Sequence, residues 1–170
     1  MQMLMRVGMV AVALVAVGTM PATSAGAEQA ASGVAARAAS SGRADHEDEA
    51  GVRKALGYYL EGHATGQGSA FARAFHPEGR LFINRDGKFT QLTSAEYIAR
   101  ASGAAPADEA QRRRRIDFID VTGDVAVAKI ILEHPGVTLT DYMSLLKVDG
   151  EWRIVNKIVN ASRQPTTRSQ

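Results

Sequence analysis

The stretch from residue 112 to 160 admits few folds. It reads as four strand-like runs, 112–122, 124–134, 137–148 and 151–160, punctuated by Gly123, Pro135-Gly136 and Asp149-Gly150. Short turns of this composition join antiparallel neighbours and fix which residues stand opposite each other. Around Asp149-Gly150 the expected pairs are Lys147 with Trp152, Leu145 with Ile154, Met143 with Asn156, Asp141 with Ile158, and Leu139 with Asn160. Around Pro135-Gly136, Leu139 faces Leu132, Asp141 faces Ile130 and Met143 faces Ala128. Side chains alternate along a strand, so these residues share one face. That face is rich in Ile, Leu and Met and must be the core side. The opposite face carries Lys129, Glu133, Thr138, Thr140, Tyr142, Ser144, Arg153 and Lys157.

Upstream, the apolar spacing changes to three and four. Val52, Ala55, Leu56, Tyr59, Leu60 and His63 form one stripe of a helix that Asp45 or Asp48 caps and that runs to about His63. A short helix over 69–75 follows and stops at Pro77. A small hairpin turns at Asp86-Gly87, and "TSAEYIARAS" opens on a capping box, Thr93 with Glu96. Helices followed by a meander predict an α+β domain, with N-terminal helices packed on one face of a curved antiparallel sheet.

The N-terminus carries a different message. Arg6 precedes an eleven-residue apolar run from Val7 to Val17, and Ala25-Gly26-Ala27 fits a small-residue cleavage site. Such a run is too short for a bilayer core, which needs about twenty residues. Residues 1–27 are therefore expected to be a signal peptide, cut after Ala27 or Ala25, with Met3 or Met5 as alternative starts. Residues 28–44, rich in Ala, Ser and Gly, are expected to be a flexible linker. The domain is placed at 45–162, with a disordered tail over 163–170. No cysteine is present to carry a lipid anchor or a disulfide. The expected location is an exported compartment, periplasm or medium, with no membrane anchor. Without residues 1–27 the chain has 19 basic and 18 acidic residues. That balance offers nucleic acid no general attraction.

Asp141 is the anomaly. The register puts a carboxylate on the apolar face of a middle strand, between Ile130 and Ile158, with Asn156 and Asn160 on the diagonals. A buried carboxylate needs donors or a proton. Asn156 and Asn160 can donate, and the helix stripe brings Tyr59 and His63 to the same face. Two readings stay open: a satisfied structural network, or a pocket in which Asp141, Tyr59 and His63 are the candidate catalytic residues. In the second, Asn156, Asn160, Met143, Ile130 and Ile158 are the candidate ligand-binding residues. An apolar site would raise the Asp141 pKa and let it act as general acid or base without metal or cofactor, with Tyr59 donating to a developing oxyanion.

"FHPEGRLF", "DGKFTQLTSAEYIAR", "VTGDVAVAKI" and "TDYMSLLKVDGEWRIVNKIV" occur in an order that resembles the nuclear-transport-factor-2-like superfamily, and more narrowly its putative lumazine-binding branch. The resemblance covers residues 47 to 161. It implies a cone-shaped domain with a pocket for a small apolar or aromatic molecule, and frequent homodimers through the outer sheet face. Here that face would present Val127, Ile131, Tyr142, Leu146, Val155 and Val159. The superfamily holds isomerases, dehydratases and cyclases as well as binding-only members, so an exported binder, an isomerase, lyase or cyclase, and a protein-interaction module are all carried forward. The isomerases' carboxylate near the second helix has no counterpart here, where His76 and Glu78 stand instead.

Other features carry less. His46, His63, His76 and His134 lack a metal-ligand spacing. The run Arg112–Arg115 lacks the aromatic interleaving of a nucleic-acid surface and is expected to be a solvated strand start balanced by Asp108 and Glu109. No phosphate-binding loop or nucleophile elbow is present.

Overall fold

A computed structural model describes the backbone of residues 25–85 and 87–163, and side chains from Asp45 onward. The expected signal peptide lies outside the described residues except for its last three positions, and the expected tail except for Arg163. The chain divides into two units, Met1–Arg37 and Ala38–Gln170, and the second holds the sheet. Its elements are α1 (Ala25–Thr65), α2 (Gly68–Ala74), β1 (Phe75–Arg85), β2 (Lys88–Thr93), α3 (Ser94–Ile98), a 3-10 turn (Glu109–Gln111), β3 (Arg113–Thr122), β4 (Val125–His134), β5 (Val137–Val148) and β6 (Glu151–Arg163).

Residues 28–44 correct the linker expectation: they are helical and belong to α1. Seven alanines and no proline among them favour helix without an apolar stripe. Neither Asp45 nor Asp48 therefore begins the helix. Asp48 instead accepts from Lys147 Nζ at 2.6 Å and Trp152 Nε1 at 3.2 Å, tying α1 to the β5–β6 turn. The capping box is present, with the Thr93 side chain accepting from Glu96 N–H and Glu96 accepting from Thr93 N–H.

The six strands form one curved sheet in the order β2-β1-β6-β5-β4-β3. Neighbours are antiparallel except β1 and β6, which run parallel, so the sheet is mixed rather than wholly antiparallel. This follows from β1 being delivered by α2 against β6, a strand far away in sequence. Val52, Ala55, Leu56 and Tyr59 from α1 are buried with Ala128, Ile130, Leu132, Met143, Leu145 and Ile154 from the sheet. Phe71, Phe75, Leu81 and Trp152 complete this core.

The β4–β5 register is as expected: Leu132 faces Leu139, Ile130 faces Asp141 and Ala128 faces Met143. The β5–β6 register is as expected only near its turn. Asp149 and Gly150 both have positive φ, as a two-residue hairpin turn needs. Lys147 faces Trp152 and Leu145 faces Ile154, but Ser144 then faces Asn156, leaving Val155 as an extra residue. Beyond this β-bulge Met143 faces Lys157, Asp141 faces Val159 and Leu139 faces Ala161. One added residue exchanges the faces of the rest of the strand. Asn156, Ile158 and Asn160 leave the inner face, and Lys157 and Val159 enter it. Ile158 is 48% exposed, whereas Lys157 is 5% exposed.

The end of α1 is held tightly. Gly66 (φ +71°) donates to the carbonyl of Gly62 at 2.9 Å and accepts from Gly103 N–H at 2.9 Å. A Cβ at Gly66 would lie 2.0 Å from the carbonyl oxygen of Ala104. Gly66→Ala is expected to cost about 2–4 kcal/mol, combining the left-handed backbone with the overpacking. Urea denaturation measures it, and a loss below about 1 kcal/mol would show that the 102–104 loop moves aside freely.

Candidate functional site

Three distant segments build the site. Tyr59 and His63 are four apart on α1 and therefore share a helix face. Asp141 comes from β5 and Lys157 from β6, adjacent strands of the same sheet. Tyr97, from α3, closes the group from the side of β1 and β2.

Tyr59 occupies the middle. Its phenol donates to Asp141 Oδ2 at 2.5 Å and accepts from Lys157 Nζ at 2.6 Å. Lys157 Nζ is also 3.3 Å from Asp141 Oδ2, so the three groups share one compact buried network. Asp141 is fully buried, and its Oδ1 has no hydrogen-bond partner among the described residues. Burial, followed by the neighbouring Tyr97 and Asp141, pushes the Tyr59 phenol well above its ordinary pKa. Tyr59 therefore keeps its proton and serves as a donor.

His63 stacks edge-on against Tyr59, with ring centroids 4.7 Å apart. Its Nε2 lies 3.1 Å from the Tyr97 hydroxyl. Burial above all, and then the positive charges of Lys157 and Arg114, lower its pKa to about 3. The imidazole is thus neutral and polar at neutral pH. Arg114 donates to the carbonyl of His63 at 3.1 Å and pairs with Glu109 at 2.5 Å, satisfying the end of α1.

A cavity of about 580 Å³ opens beside this network, lined by Lys157, His63, Tyr97, Leu139, Val159 and Ile83. Exposed Asn160 and Arg85 also line it. Asp141 and Tyr59 do not: they lie behind Lys157, which separates them from the space. The Lys157 ammonium is 5.0 Å from the ring centroids of both Tyr59 and Tyr97. A second concavity of about 220 Å³, beside Gly51, Tyr58, Arg73 and Trp152, contains none of these groups.

Asp141, Tyr59 and His63 are thus brought together as expected from the sequence, but the expected ligand contacts are not. Met143 and Ile130 are core residues away from the cavity lining, 2% and 0% exposed. Asn156 and Ile158 stand on the outer face because of the bulge, and Asn160 reaches the cavity only from an exposed position. The donor to the Asp141 network is Lys157, which strict alternation had assigned to the outer face. A basic residue embedded in "IVNKIVN" was the available signal. The same bulge corrects the outer apolar face, where Val159 is replaced by Ile158. Phe118, Val125, Val127, Tyr142 and Leu146 are exposed there, and Ile131 is buried.

The arginine run behaves as a charge-balanced strand start. Arg112 pairs with Asp108 at 2.8 Å, Arg114 with Glu109, and Arg115 with Glu133 at 2.6 Å. His76 Nδ1 accepts from Glu78 N–H at 3.1 Å, a turn contact. Among the described residues no group of three or more His, Cys, Asp or Glu could hold a metal ion, and no helix is long and apolar enough to cross a membrane.

Residues 47–159 match the family described as "Putative lumazine-binding". Aldolase FrzH from a Cladobotryum species is 26% identical over 105 residues, 61% of this chain and 82% of that protein. An NTF2-like protein of unknown function from Silicibacter pomeroyi DSS-3 shares the fold at a TM-score of 0.61, with 23% identity over 69% of this chain and 98% of the other. Another, from Shewanella baltica OS155, has a TM-score of 0.60 and 25% identity over 69% of this chain and 96% of its own.

Proposed function

This chain belongs to the family described as "Putative lumazine-binding", within the NTF2-like superfamily, and from that membership we propose that its cavity receives a small, largely apolar molecule. The observation that carries this reading is the Lys157 amine, a cavity-lining group backed by Tyr59 and Asp141. Ile83, Leu139 and Val159 offer the ligand an apolar wall, while Lys157, His63 and Tyr97 orient a polar end. Residues 1–27 act as an export signal. The exposed outer face, with Phe118, Tyr142 and Ile158 in one cross-strand row with Lys129, joins two copies of the chain.

Comparison of native and denaturing mass spectra of the protein exported by its own host tests these points together. The expected result is a dimer that begins near Glu28 and carries an added mass lost on denaturation. The neutral fluorophore N-phenyl-1-naphthylamine should also bind saturably at about one per chain. Absence of both the added mass and saturable uptake would overturn the cavity reading.

A second reading is enzymatic, and the relative named an aldolase favours it. In it, Asp141 is the acid or base of an isomerase, lyase or cyclase and acts on the bound molecule through Tyr59 and Lys157. Tyr59→Phe should then abolish turnover while leaving fluorophore binding within about threefold, since binding and proton transfer use different atoms.

A further inference from the structure

We propose that Lys157 is a nucleophile: its ε-amine condenses with an aldehyde or ketone admitted to the cavity and forms an imine. The inference rests on the cavity being a small-molecule site and adds the chemical class of the molecule and the atom that captures it.

Position is the first argument. The chain has five lysines. Lys54, Lys88 and Lys147 are exposed, and half-buried Lys129 pairs with Asp117 at 2.9 Å. Lys157 alone is buried, and it lines the cavity. Holding a domain together does not require this, because an apolar pair in place of a buried ion pair is often as stable or more so. What an amine adds is reactivity. Lysines in desolvated sites are the ones that form Schiff bases.

The second argument is a proton route. An imine forms only from the free amine, so the resting ammonium must release a proton to a nearby acceptor. Lys157 Nζ donates to Tyr59 Oη at 2.6 Å, and Tyr59 Oη donates to Asp141 Oδ2 at 2.5 Å. Moving each proton one hydrogen bond along this chain turns ammonium and carboxylate into amine and carboxylic acid, with Tyr59 unchanged. Asp141 Oδ1 has no donor among the described residues, so the only hydrogen bond they give the carboxylate is at Oδ2.

The chemistry then balances. The Nζ lone pair attacks the carbonyl carbon; the C–N bond forms as the C–O π bond opens, and one amine proton passes to oxygen to give the carbinolamine. The proton held on Asp141 returns through Tyr59 to the carbinolamine nitrogen and from there to its hydroxyl, which leaves as water. The product is an iminium on Lys157 paired with the restored Asp141 carboxylate, beside the Tyr97 ring. No oxidant or reductant is needed.

The test is reductive trapping on the full chain with benzaldehyde as probe and sodium cyanoborohydride as hydride donor, followed by peptide mapping. The expected result is one benzyl adduct on Lys157 at aldehyde concentrations that leave the other four lysines unmodified. Tyr59→Phe should slow labelling of Lys157 by about 100-fold, the usual scale of a lost proton relay, without abolishing fluorophore binding. Lys157→Arg keeps a cation beside Asp141 and should show no adduct at this position. Saturable N-phenyl-1-naphthylamine binding with adducts only on exposed lysines would overturn the imine and leave the cavity reading standing. Neither binding nor adduct would overturn both.

Discussion

Exchange of Asp141 for Asn is expected to cost about 3–5 kcal/mol of folding stability, the scale of a buried ion pair that loses one partner. Asn keeps the shape and can still accept from Tyr59, so the loss reports charge. It leaves Lys157, 5% exposed and 3.3 Å from residue 141, as a buried cation without its counter-charge. Exposed pairs behave differently: Arg53 and Glu49, 2.7 Å apart with half-exposed side chains, should contribute about 0–1 kcal/mol. The double variant Asp141→Leu/Lys157→Met removes both charges and is expected to regain most of the loss. Urea denaturation of the wild type, Asp141→Asn and the double variant decides. A single-variant loss under about 1 kcal/mol would show that the pair is electrostatically idle, and a double variant as unstable as Asp141→Asn would place its worth in geometry.

Acid should destabilise the native protein through His63. Its ordinary pKa of 6.5 falls to about 3 in the fold, chiefly by burial and further by Lys157, Arg114, His134 and Arg112. Between those values the unfolded chain binds a proton at this position that the folded chain refuses. Stability is therefore fully present above pH 6.5 and is lost as pH falls towards about 3. Within that window one proton corresponds to about 1.4 kcal/mol per pH unit, and the whole shift to about 4–5 kcal/mol. His63→Gln should flatten the stability profile by that slope between pH 5.5 and 3.5, whatever it costs at neutral pH. Equal slopes for the two proteins would show that His63 is already solvated in the native state.

The turn chemistry explains why so much of the sheet was legible. Asp149-Gly150 adopts the positive φ values that a two-residue hairpin requires, and Pro135-Gly136 sets β4 against β5 with Asp141 opposite Ile130. The α1 stripe was equally legible, because spacings of three and four oblige Val52, Ala55, Leu56 and Tyr59 to face one way. The start of α1 was not. Alanine-rich residues 28–44 carry helix propensity but no apolar face, and periodicity alone does not register them.

Local sequence, then, determined most of the elements, their order, the two hairpin turns, and the faces on which Asp141 and, four apart on α1, Tyr59 and His63 stand. Each depends on backbone preferences or on side-chain spacing within one element or across one tight turn. Tertiary structure decided which residue completes the site. After Val155 the strand reads as well with Asn156 and Ile158 inward as with Lys157 and Val159, since both faces alternate polar with β-branched residues. The choice falls on Lys157, where β6 bulges between β5 and its parallel partner β1. Turning Lys157 inward brings its cation to a carboxylate and a phenol contributed by segments 16 and 98 residues away. Charge complementarity across that distance is a property of the folded chain, and no local pattern encodes it.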